Sequence, residues 1–139
     1  MWKKPTKNNL AAYMSQDEMD AYRTSMGYEN GGSDPIDDVL AETVAMVRGY
    51  CHVKLDEDDS TIPPSLMSSA MVIARYRILT RMPVQIEIES RRVDYERAME
   101  HLALVAKGEV LVESPVPGED DTARVVPLYG LSFRPNLLR

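Results

Sequence analysis

Two histidines, one cysteine and a run of acids are the residues of this 139-residue chain whose types suit chemistry. His52 and His101 fall on two different predicted helices, where two imidazoles could meet to hold a metal or pass a proton. Each sits near a helix C-terminus, however, where an imidazole serves as a surface residue or as a partner for the helix dipole. Cys51 adjoins His52, as a thiol–imidazole pair would require. Neighbouring helical residues point about 100° apart and so do not face one another. A structural thiol is the expectation for Cys51.

The acids Asp56, Glu57, Asp58 and Asp59 carry charge enough for calcium, but the D-x-[DN]-x-[DN]-G-x5-E spacing is missing, including its glycine. A solvated loop is expected there. Gly31-Gly32-Ser33 ahead of a helix resembles a phosphate-binding turn, yet Asp34, Asp37 and Asp38 would repel a phosphate. Arg91, Arg92 and Arg97 could form a basic spot, but Asp94, Glu96 and Glu100 interleave with them, which reads as pairing along one helix surface. The sequence contains no G-x-x-x-x-G-K-[ST], H-E-x-x-H, C-x-x-C or G-x-S-x-G. No catalytic residue, metal site or cofactor is therefore expected, and the chain is read as a non-enzyme.

The elements that would position these residues centre on Pro63–Met82, PPSLMSSAMVIARYRILTRM. Prolines suit a first helical turn, and Pro83 biases Met82 away from helical dihedrals, so both ends are marked. Leu66, Ala70, Ile73 and Arg77 form one row at helical spacing, and Met67, Met71, Ala74 and Ile78 form a second. Two apolar rows require more than one partner, which predicts the central helix of a small bundle. Before it, Asn8 or Asn9 is expected to cap a short turn carrying Leu10, Tyr13 and Met14. Ser15-x-x-Glu18 is a capping-box pattern opening a helix over 16–25, with Met19, Tyr22 and Met26 inward. Ser33-Asp34-Pro35 opens another, with Ile36, Val39, Leu40, Thr43, Val47, Tyr50 and Cys51 at helical spacing to about residue 53. After Pro83, VQIEIE alternates like a short strand or an extended link. A last helix, starting between Glu87 and Val93, turns Tyr95, Ala98, Met99, Leu102, Val105 and Ala106 inward and stops at Gly108. Trp2 in the lead MWKKPTK is either a small anchor or disordered.

The predicted fold is mainly α, a bundle of about four helices over residues 1–112, followed by an extended arm, 113–139, with room for short β-strands if EVLVE pairs with ARVVP. Four prolines in the arm forbid a long helix. Its last part is nonetheless apolar, which does not suit a free tail. Leu128, Tyr129, Leu131, Phe133, Leu137 and Leu138 are the candidate partner-binding residues, since aliphatic and aromatic anchors dominate such contacts. With 16 basic against 22 acidic residues the chain carries a formal charge of −6, a poor basis for neutralising DNA phosphates. A single cysteine excludes an internal disulfide. The basic lead has no apolar run behind it, so no signal peptide is read, and no stretch reaches the roughly 18 apolar residues of a membrane span. A soluble protein is expected.

Three blocks carry a resemblance: I62-P63-P64-S65-L66 leading into A70-x3-A74-R75-Y76-R77, then R91-x3-Y95-E96-x-A98, then L102-x3-A106-x-G108-E109-V110. In this order, with prolines before and glycine after, the chain resembles the Mu-like phage head-completion family, small head–tail connector or adaptor proteins of the phage neck. The resemblance covers about Ser33 to Val112. It implies a mostly helical domain assembled as a dodecameric ring below the portal protein, a further neck or tail-terminator protein on the other side, and DNA passing through the lumen. It also implies a place in the virion after assembly in the host cytoplasm. An acidic chain beside a polyanion suits a lumen from which DNA slides freely. A helical adaptor or regulator that binds one protein partner outside the virion is the alternative reading.

Overall fold

The computed structural model describes residues 1–28, 32–51, 53–82 and 88–115. Within them lie α1 (Lys7–Leu10), α2 (Gln16–Ser25), α3 (Pro35–Tyr50), a 3₁₀ turn (Pro64–Leu66), α4 (Met67–Arg81) and α5 (Ile88–Ala106). The predicted short turn is α1, and the four predicted helices are the other four. No strand forms among the described residues. The one β-type pairing is an isolated antiparallel bridge between Lys3 and Ile62.

The helix starts follow from side chains that can accept a backbone N–H. Ser15 and Glu18 form the predicted reciprocal box at the head of α2. Asp34 caps α3 through the Ile36 N–H, with Pro35 in the first turn. At α1 the cap is Thr6, not Asn8 or Asn9. Asn9 instead returns a hydrogen bond to the Thr6 backbone from three residues on. The prolines ahead of α4 form the 3₁₀ turn, so the α-helix itself begins at Met67. At the other end Met82 is extended, with φ −83° and ψ 145°, as a residue before proline should be. Gly108 closes α5 at φ 80°, a conformation that favours glycine, and lets the Glu109 N–H reach the Leu104 carbonyl at 2.9 Å. Gly27 does the same for α2 at φ 72°.

Helix α4 is the hub: it packs against α1, α2, α3 and α5. Leu66, Ala70 and Ile73 of one row and Met71, Ala74 and Ile78 of the other have no exposed surface. Each large apolar side chain sealed in this way contributes about 1.5–3 kcal/mol relative to exposure. They meet Ile36, Val39, Leu40, Val44 and Val47 of α3, Met19 and Tyr22 of α2, and Ala98, Leu102 and Val105 of α5. Arg77, the polar end of its row, lies 3.5 Å from Glu42 and 3.2 Å from the Met46 sulfur. Tyr76 and Tyr95 stack across the α4–α5 seam at 4.4 Å between centroids.

Several expectations need correction. Met26 does not point inward: it is the C-cap of α2 and 53% exposed, because the chain has already turned at Gly27. Helix α3 ends at Tyr50 and not near residue 53, with Cys51 already extended. Tyr50, Cys51, Tyr95, Met99 and Ala106 are half-buried at the edge of the core. Ile88 and Glu89, the end of the alternating run, are helical, and residues 84–87 lie outside the described ones. Trp2 is an anchor, 3% exposed.

Candidate functional site

The six candidate partner-binding residues, Leu128, Tyr129, Leu131, Phe133, Leu137 and Leu138, lie outside the described residues, as does the ARVVP half of the proposed strand pair. The last described stretch ends at Pro115, and the residues just before it are pinned. The Trp2 indole Nε1 donates to the Glu113 carbonyl at 2.8 Å. The Glu113 carboxylate accepts from the Ser65 N–H at 3.1 Å and from the Ser65 hydroxyl at 2.6 Å. Neither Pro63 nor Leu66 offers a side-chain cap to the turn and helix they precede. Glu113 therefore brings an acceptor and a negative charge to the α4 N-terminal region from 48 residues away. Val112, Ser114 and Pro115 are buried beside it.

Arg48 organises the other side of this clasp. Its guanidinium lies over the Trp2 ring, 5.4 Å from the centroid, and donates to the carbonyls of Asp56 (2.7 Å), Asp58 (3.0 Å) and Thr61 (2.8 Å). Glu57, Asp58 and Asp59 of the acidic loop are exposed, as expected of a solvated loop, but its backbone is anchored from within. Its carbonyls turn in to one cation, Asp58 accepts from the Ser60 N–H and hydroxyl, and Asp56 accepts from the Thr61 hydroxyl at 2.7 Å. Lys3 and Ile62 exchange both backbone bonds at 2.9 Å, tying the N-terminus to the same loop.

A second polar cluster joins α1, α2 and α3. Asp34, 8% exposed, accepts from the Arg23 Nε and Nη2 (3.0 and 2.9 Å), from Lys7 Nζ (3.0 Å) and from the Ile36 N–H (3.0 Å). Burial pushes its carboxyl up, but the Arg23 guanidinium, the Ile36 N–H and the Lys7 ammonium outweigh it and hold the group down to about 2. The Asp34 carboxylate at the head of α3 is thus already gripped by two cations, in keeping with the expected repulsion of a phosphate there. Gly31 itself lies outside the described residues.

The basic residues of α5 divide. Arg92 pairs along its own helix with Glu89 and Glu96, as the interleaved charges predicted. Arg91 instead crosses to Glu18 of the α2 capping box at 2.6 Å, and Asp94 is taken by Arg75 of α4 at 3.0 Å. These are tertiary contacts. His101 is half-buried on α5, and His52 lies outside the described residues. Cys51 is half-buried, its thiol donating to the Val47 carbonyl at 3.5 Å; burial pushes it up to about 11 despite the nearby Arg48. Among the described residues no three His, Cys, Asp or Glu side chains converge as metal ligands would, and no helix is long and apolar enough to cross a membrane.

Sequence reasoning missed Trp2, Arg48, Ser65 and Glu113 as one unit. The available signal was the lack of a capping side chain ahead of α4, which required an acceptor from elsewhere in the chain.

Fold and clasp together define the class: a small, mainly helical protein in which Trp2 and Glu113 meet at the head of the central helix. The chain belongs to the family described as Bacteriophage Mu, Gp36, whose model matches residues 5–126. It is therefore a member of a bacteriophage protein family. The match takes in the whole body from Pro5 and ends at Val126, ahead of all six candidate docking residues. No curated protein and no solved structure matches the chain.

Proposed function

We propose that this chain is a structural virion protein of the phage neck, a head–tail connector that forms a ring, of twelve copies, below the portal. There it completes the DNA-filled head and offers the surface on which the tail docks, with DNA passing through its lumen. The observation that carries the reading is membership of the Mu phage family over residues 5–126. The helical body supports it, as does a C-terminal stretch whose apolar residues suit contact with another subunit. In this role the arm from Pro127 to Arg139 is a docking strap on the portal or an adjacent subunit. The acidic surface of the body faces the channel, where like charge keeps duplex DNA from adhering.

Deleting Pro127–Arg139 tests the strap. The body is expected to keep its helical signal and melting temperature while the protein no longer attaches to filled heads. Attachment at the level of the intact chain would overturn the assignment. A lumen lined mainly by Lys and Arg would overturn the electrostatic part alone.

A further inference from the structure

Helix α5 is buried along one side only. Ala98, Leu102 and Val105 face the core, while Val93, Arg97, Glu100 and Leu104 are exposed on the opposite side. Steps of four, three and four residues put these four in one row, the seam spacing of a two-helix coiled coil. Val93 and Leu104 are each 38% exposed, two of the six large apolar side chains that the described residues leave open. A third, Leu111, follows Val110, whose N–H comes back to the Leu104 carbonyl at 3.3 Å. Half of the exposed large apolar side chains thus lie on the outer row of α5 or beside its end.

The charges of that row are the ones the helix has left over. Glu89, Arg91, Arg92, Asp94 and Glu96 are all taken up in ion pairs. Arg97 and Glu100 make no hydrogen bond or ion pair among the described residues. An occupant of the row must therefore bring an acid to Arg97, a base to Glu100 and apolar side chains to Val93 and Leu104. A second copy of α5, antiparallel about a twofold axis midway between residues 98 and 99, brings all four. Arg97 then meets the partner's Glu100, and Val93 meets the partner's Leu104, each pair occurring twice. The same residues reject the other arrangements. Parallel pairing in register sets Arg97 against Arg97 and Glu100 against Glu100, and an antiparallel slide of one heptad sets Val93 against Arg97 or Leu104 against Glu100.

We propose that the outer row of α5 is a self-complementary surface through which the free protein pairs with a second copy of itself, antiparallel and in this register. An isologous contact closes at two copies and builds no ring, so the pair is a state of the free chain and stands independently of the neck reading. The seam from Val93 to Leu104 covers about 16 Å of helix, at the small end of specific interfaces. Association is accordingly expected at about 100 µM, not in the nanomolar range.

The test is sedimentation equilibrium of the full-length protein over concentrations that bracket about 100 µM. The parent is expected to pass from monomer to dimer. Arg97→Glu sets acid against acid twice across the seam and should weaken association by about tenfold or more, as should Glu100→Arg. The double exchange Arg97→Glu, Glu100→Arg should restore it. A second measurement reads the register without changing a charge. In a Cys51→Ser background, Val93→Cys chains mixed with Leu104→Cys chains should form disulfide-linked pairs under mild oxidation. Neither should do so alone, because like positions stand about 16 Å apart. This result decides by itself where a reversal alters the circular dichroism. A parent that stays monomeric, an assembly larger than two copies, association indifferent to either reversal, a double exchange that stays weak, or disulfides absent from the mixture or formed by one variant alone would each overturn the proposal.

Discussion

The α3–α4 seam and the terminal clasp hold the molecule in different ways. The seam is dry and periodic: Val39, Val47, Ala70, Ile73 and Ile78 recur at helical spacing and have no exposed surface. The clasp is made of individual polar contacts, mostly from side chains to backbone carbonyls, ranging from Arg48 to Asp56 over 8 positions to Trp2 to Glu113 over 111. The seam's strength is apolar area, which is non-directional and cooperative. Each contact of the clasp depends on one donor in one place, so it can open while the helices stay packed.

The largest expected effect comes from breaking the seam. Ile73→Ala, at a site with no exposed surface, should cost about 2–5 kcal/mol and lower the denaturant midpoint of the whole body with an unchanged slope. A midpoint like that of the parent would show that α4 is not the hub. Trp2→Ala should act locally. Hydrogen exchange at 110–113 and in the loop around Asp56–Ile62 is expected to speed up, while the central turns of α3 and α4 keep their protection. Uniform loss of protection would make the clasp part of the core.

A smaller effect separates the Asp34 cluster from both. Its carboxyl sits at about 2 in the folded chain against an ordinary value of 3.8. A depressed carboxylate contributes stability above its unfolded value, and that contribution is lost as pH falls from about 4 through about 2. The gap corresponds to about 2 kcal/mol, and Asp34→Asn should remove this part of the acid dependence when melting is followed across that window. An unaltered acid limb in the variant would place the dependence on other carboxylates.

The same contrast explains what was legible in the sequence. Apolar rows at 3.6 spacing, Ser15-x-x-Glu18, Asp34-Pro35 and Gly108 are local signals, and each predicted helix appears where its signal stands. Within local reach the failures were shifts by a turn: the cap moved from Asn8 or Asn9 to Thr6, and Met26 was carried outward by the turn at Gly27. Apart from the uncapped start of α4, the clasp has no local signature. Arg48 reads as the charged end of an amphipathic helix, and nothing in its neighbourhood specifies that three loop carbonyls and an indole will converge on it. Arg91 likewise pairs by tertiary position with Glu18, although its own helix offers acids at the right spacing. The arm was legible only as composition, an apolar and basic stretch following an acidic one.

Imaging the neck of intact phage particles tests the account most directly. It predicts this helical body repeated as a ring directly below the portal, with residues 127–139 of each copy buried against the portal or a neighbouring subunit. A neck that lacks the chain, or one in which every copy keeps those residues wholly on its own body, would contradict it.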